Sequence, residues 1–136
     1  MNRLGILGYQ LLTGISDAST GALLMVAPAL ALRLMGLHAS PDALVYVSFV
    51  GAFVFSVGLA CLYGARLAYR NSGRTKLEIV WLLTAFTRAA VAVFVIAQVM
   101  ANALEAGWAM VAFFDGACVF IQAMGLRKGW LASVAR

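Results

Sequence analysis

Charge is what this sequence has least of. Only 11% of its 136 residues are Asp, Glu, Lys or Arg, where a soluble globular domain carries about a quarter. Together with 64% apolar residues and a mean hydropathy of +0.96, that scarcity excludes an ordinary cytoplasmic enzyme. Histidine is nearly absent: His38 stands alone in a turn, which rules out a bis-histidine haem within one chain and leaves a zinc site short of ligands. The two cysteines, Cys61 and Cys118, lie inside apolar stretches far from any CxxC spacing and read as small packing residues. GxSxG, phosphate-loop, HExxH and dinucleotide signatures are all missing, as are long-period repeats and low-complexity segments.

What the chain does have is long apolar runs, at about 4–34, 43–65, 77–104 and 108–126. Roughly 20 apolar residues span a bilayer core as a helix, so each run can cross. The expected fold is therefore an all-α membrane protein, one domain over 1–136 with four transmembrane helices in an antiparallel bundle. Pro28 is expected to kink the first helix by removing its bond to the Leu24 carbonyl. The first run exceeds a signal-peptide core and lacks a small-residue cleavage site, so the N-terminus is expected to be retained.

The net charge of +5 comes from cations gathered beside the apolar runs, which points to lipid headgroups and not to nucleic acid. Arg3, Arg66, Arg70, Arg74, Lys76, Arg127, Lys128 and Arg136 fall on one side, and Arg33, His38, Asp42 and Glu105 on the other. Both termini and the middle connection are thus expected in the cytoplasm. Tyr9, Tyr63, Tyr69, Trp81 and Trp130 would mark the inner interface, with Tyr46 and Trp108 at the outer one. The terminal stretch GWLASVAR, too short to span, is expected to lie along the inner surface with Trp130 and Leu131 in the interface.

Gly14 and Gly21, and likewise Gly51 and Gly58, sit seven residues apart on one helix face, where small residues permit close helix approach. Ser48, Ala52, Ser56 and Ala60 form a second small-residue stripe, also expected to be a packing seam, within one subunit or else at an oligomer interface.

Three ionisable residues lie deep inside the runs: Asp17, Arg88 and Asp115. At about 1.5 Å per residue, Asp17 stands about 21 Å beyond Arg3, Arg88 about 18 Å beyond Lys76, and Asp115 about 18 Å before Arg127. Three helices bring charges to one level near mid-membrane, where an unpaired charge costs on the order of 3 kcal/mol or more. Mutual contact is expected, with Arg88 as hub because a guanidinium holds two carboxylates at once. Two acids on one Arg leave one negative charge to be met by a proton, a second cation or a donor-rich group. Thr84 and Gln98 on the third helix and Gln122 on the fourth are expected to support the cluster. Thr13, Ser16, Ser19, Thr20 and Thr87 either add hydroxyls or bond back to their own helix.

With APALALRLMGL closing the first helix, the PDA turn, TAFTRAAVA in the third helix and FFDGA in the fourth, the chain resembles small bacterial four-helix membrane proteins, broadly DoxX-like. The resemblance covers most of the chain. It implies the bacterial inner membrane, Arg88 and Asp115 as family features, and association with quinone or thiol redox complexes as a companion subunit. Three functional readings stay open. The first is a non-catalytic accessory subunit that packs against larger membrane partners, or self-associates, and binds a lipid or quinone between its helices. The second is a small dimeric proton-coupled transporter using Asp17 or Asp115. The third is an enzyme with the Asp pair as acid and base, for which no nucleophile or metal set is present.

Overall fold

A computed structural model describes residues 2–70 and 73–134, and over these the chain is helical, with no strand. The helices are α1 (Arg3–Val26), α2 (Pro28–Leu34), α3 (Leu44–Arg70), α4 (Arg74–Met100) and α5 (Ala109–Arg127). Short 3₁₀ turns at Pro41–Ala43, Ala106–Trp108 and Trp130–Val134 complete it.

Among the described residues, three stretches are long and apolar enough to cross a membrane: Pro41–Arg70, Arg74–Met100 and Ala106–Arg127. With 24 residues, α1 is about 36 Å long. It falls below that apolarity because Gln10, Thr13, Ser16, Asp17, Ser19 and Thr20 all lie along it.

The first apolar run is not one kinked helix. Ala27, at φ −146° and ψ 62°, leaves the helical region altogether, and Pro28 takes the first position of a new helix. That position needs no N–H donor, so proline restarts the helix where its ring would have broken it. The later boundaries also move. α3 runs on to Arg70, and α4 starts at Arg74 and ends at Met100, short of the expected 104. Asn102, at φ 56°, closes α4, with the amides of Asn102 and Ala103 donating to the carbonyls of Val99 and Gln98.

Helix packing is antiparallel throughout. α1 lies along α3 over most of its length and α4 along α5, while the α3–α4 contact is much smaller. Glycine sets the first of these pairings. A Cβ on Gly21 would stand 2.7 Å from the Phe55 Cα and 2.8 Å from the Gly51 carbonyl oxygen, and one on Gly58 2.8 Å from the Ala18 Cα. The seam expected from the glycine spacing is thus a backbone-to-backbone approach of α1 on α3. Arg3 fastens the end where α1 begins and α3 finishes, donating from Nε to the Ala68 carbonyl at 3.1 Å and from Nη2 to that of Tyr69. Those are orphan carbonyls at the C-terminus of α3, where a cation is favoured.

The other stripe packs differently. Ser56 and Ala60 line an open crevice between α3 and α4 and form no close helix seam within the chain.

Ile6, Leu67, Ala68, Leu77, Trp81 and Leu131 form the main apolar core, with Tyr9, Val80 and Leu126 against it. Two expectations are corrected here. Trp81 is fully buried, its ring over Gly125, so it is no interface anchor. Leu131 is fully buried as well, because Gly129 at φ 64° turns the chain back after α5. The Trp130–Val134 turn then packs on α1, α4 and α5, with Leu131 in the core and not exposed as an interface residue would be. Ala135 and Arg136 lie outside the described residues.

Candidate functional site

The two helix pairs meet through long side chains more than through backbone. Arg88 reaches out from the middle of α4, donating from Nη1 to Asp115 Oδ1 on α5 at 2.5 Å and from Nη2 to Asp17 Oδ2 on α1. Exposure of the three residues is 3% for Arg88, 8% for Asp17 and 9% for Asp115, so the cluster is almost sealed. One guanidinium thereby engages both carboxylates, one through each terminal nitrogen. Its Nε has no partner, and its central carbon lies 5.5 Å from the centre of the Phe114 ring, a cation–π distance.

Local sequence explains why the three side chains converge. Asp17 shares the buried face of α1 with Gln10, Thr13, Gly14, Gly21 and Leu24, three and four residues apart. On α4 the buried face is Leu77, Trp81, Thr84, Arg88, Ala92 and Val95, and on α5 it is Ala112, Asp115, Cys118, Gln122 and Gly125. Each charge thus sits on the face its helix turns toward the others.

The supporting residues divide. Gln122 donates from Nε2 to Thr84 Oγ1 at 2.7 Å, and the Thr84 hydroxyl in turn donates to the Val80 carbonyl at 2.8 Å. This second buried polar link joins α5 to α4 one turn before Arg88, toward the start of α4. Gln98 does not join the cluster: it stands ten residues further along α4, about 15 Å away, and its carbonyl caps the end of that helix. Thr13, Ser19 and Thr87 each donate back to a carbonyl of their own helix, leaving the cluster to the charges. Cys61 and Cys118 are both buried and free.

Tyr9 and Gln10 complete the interior. The Tyr9 hydroxyl donates to the Cys118 carbonyl over a long 3.5 Å, and its ring lies 5.4 Å from that of Trp81 at 56°, so it crosses from α1 to α4 and α5 just below the charges. Gln10 is fully buried, with neither side-chain polar atom bonded, and its amide lies against Gly64 of α3. Tyr9 is half-buried, its ring packed against the core beside Trp81. The one sequence signal of its buried side is its place one turn before Thr13 on the inward face of α1.

His38 is exposed in the turn at the other end of the molecule, 3.6 Å from Glu105. Among the described residues, no three His, Cys, Asp or Glu side chains converge as a metal ion would need.

No family model, no curated protein and no solved structure matches this chain.

Proposed function

We propose that the protein is a small integral subunit of the bacterial inner membrane, without catalysis of its own, that packs against larger membrane partners. In this reading α1, α3, α4 and α5 all cross the bilayer, and both termini and the α3–α4 connection face the cytoplasm. α1 crosses despite its polar residues because its Asp17 is paired and its glycine face is covered by α3. The cation bias supports the orientation.

The observation that carries this reading is the double pairing of Arg88. Both carboxylates are engaged by one buried guanidinium, and the three residues tie α1 to α4 and α5. A buried charge cluster of this kind specifies which helix faces meet. The resemblance to DoxX-like proteins, many of which accompany other subunits, points the same way.

The small-molecule companion is better read as a lipid than a quinone. In the α3–α4 crevice the hydroxyls of Ser56, Thr84 and Thr87 donate to carbonyls of their own helices, so none is aimed at a quinone carbonyl.

A second reading keeps one observation in its favour. Two carboxylates on a single cation leave one negative charge over, which a transporter would use to carry a proton.

Native mass spectrometry of the untagged protein, extracted gently from its own membrane, tests the proposal. A reproducible heteromeric assembly is expected. A bare monomer or homodimer would overturn the subunit reading in favour of transport.

A further inference from the structure

Two cavities lie one above the other in the crevice between α3 and α4. The first, about 260 Å³, is lined by Phe53, Ser56, Val57, Ala60, Leu83, Thr84 and Thr87. The second, about 270 Å³, is lined by Tyr63, Arg66, Leu67, Arg70 and Lys76. Along α3 the lining runs from Phe53 through Ala60 and Tyr63 to Arg70 at steps of three and four residues. Along α4 it returns from Lys76 to Thr84 and Thr87. One continuous face therefore changes from small and apolar in the middle of the molecule to basic at the end that carries Arg70 and Lys76. The crevice is open because α3 spends its glycine face on α1, while Ser56 and Ala60 are too short to meet Thr84 and Thr87 across it.

The basic end is uncompensated. Among the described residues no carboxylate lies within ion-pair distance of Arg66, Arg70 or Lys76, all three exposed, and the nearby Glu78 is held by Arg74 at 2.6 Å. Three cations thus converge on one mouth with no internal counter-ion. Two of them are guanidinium groups, whose planar donors match phosphate oxygens in pairs, and the third is a point charge on a flexible stem. Lys76 and Thr87 are eleven residues apart, so the two depressions together span about 16 Å along α4.

We propose that this crevice is a binding site for an anionic phospholipid. Its phosphate sits on Arg66, Arg70 and Lys76, and one acyl chain lies in the groove past Ala60, Ser56, Thr84 and Thr87. The inference rests on the membrane reading above and gives its lipid companion a place and a charge.

The test uses the purified full chain with vesicles of phosphatidylcholine alone or with phosphatidylglycerol, followed by flotation and by native mass spectrometry of the lipids retained. Wild type should float with both and retain phosphatidylglycerol selectively. Arg66→Gln/Arg70→Gln/Lys76→Gln should lose at least about tenfold in that retention, since each cation near an anionic surface contributes roughly fivefold. Arg74→Gln/Arg127→Gln/Lys128→Gln, which removes as much charge from the same end but outside the cavity, should keep it. Ala60→Phe, which leaves every charge in place and fills the groove, should also weaken retention, and it keeps the question open to test if the triple variant does not fold.

Equal loss in both triple variants would overturn the site in favour of general surface attraction. Displacement of the lipid by millimolar inorganic phosphate, with Ala60→Phe unaffected, would overturn it in favour of a free-anion site. Protein that floats without lipid selectivity contradicts the site alone. Protein that stays at the bottom of the gradient contradicts the membrane reading as well.

Discussion

Arg88 Nη1 donates to Asp115 Oδ1 at 2.5 Å between neighbouring antiparallel helices, α4 and α5. The other terminal nitrogen of the same guanidinium crosses to Asp17 on α1. The backbone of α1 makes little direct contact with α4 or α5, so this forked cation is the principal polar tie between the two halves of the bundle.

Removing the hub strands two buried carboxylates. Arg88→Ala is expected to lower the yield of folded protein and to cost about 3–5 kcal/mol, the usual penalty for breaking a buried pair from one side. Arg88→Lys, with a single ammonium in place of the fork, should fall between that variant and wild type. Yield and thermal melting in detergent check both, and an Arg88→Ala protein with normal yield and melting would contradict the contact.

The two acids should not behave as independent sites. One remaining carboxylate still pairs Arg88, so Asp17→Asn and Asp115→Asn should each cost less than half of what the double variant costs. Melting of all three proteins gives the coupling directly. Additive losses would mean that the two acids do not share one partner.

The α1–α3 seam leaves no room for a side chain at Gly21, where an added Cβ would stand 2.7 Å from backbone carbon. Gly21→Ala is expected to destabilise by about 1–3 kcal/mol, the range for overpacking. Gly116, also helical but with nothing within 4 Å, should gain about 0.5–1 kcal/mol when changed to Ala. Opposite signs in a melting comparison are the expected outcome, and equal effects would remove the case for a close backbone approach.

Leu131 is fully buried and plugs the end of the core. Leu131→Ala should cost about 2–5 kcal/mol, as a leucine lost from a packed interior does. A loss below about 0.5 kcal/mol, typical of a surface change, would return the terminal turn to the interface.

Apolar run length and the helical rise make helix number and charge depth readable from the sequence. The spacing of Asp17, Arg88 and Asp115 from the flanking cations is enough to set all three at one level, and the glycine spacing points to the seam that Gly21 and Gly58 form. Azimuth is harder to read. A helix that is apolar nearly all round carries little periodic signal of which face turns inward. For that reason the sequence pattern groups Gln98 with Thr84, makes a seam of Ser56 and Ala60 within the chain, and sets Trp81 at the interface, and the structure corrects all three. The break at Ala27 and the inward turn at Gly129 depend on single backbone angles, which composition does not reveal.

The most direct test of the central claim is thermal melting and native mass spectrometry of the neutral triple variant Asp17→Asn/Arg88→Gln/Asp115→Asn, extracted from its own membrane. If the cluster is a clamp that fixes helix pairing, amides bonding to one another should replace it. Melting within a few degrees of wild type with the partner proteins retained is then expected. A variant that melts far below wild type, or that no longer holds its partner proteins, would contradict the clamp by showing that the charges themselves are needed.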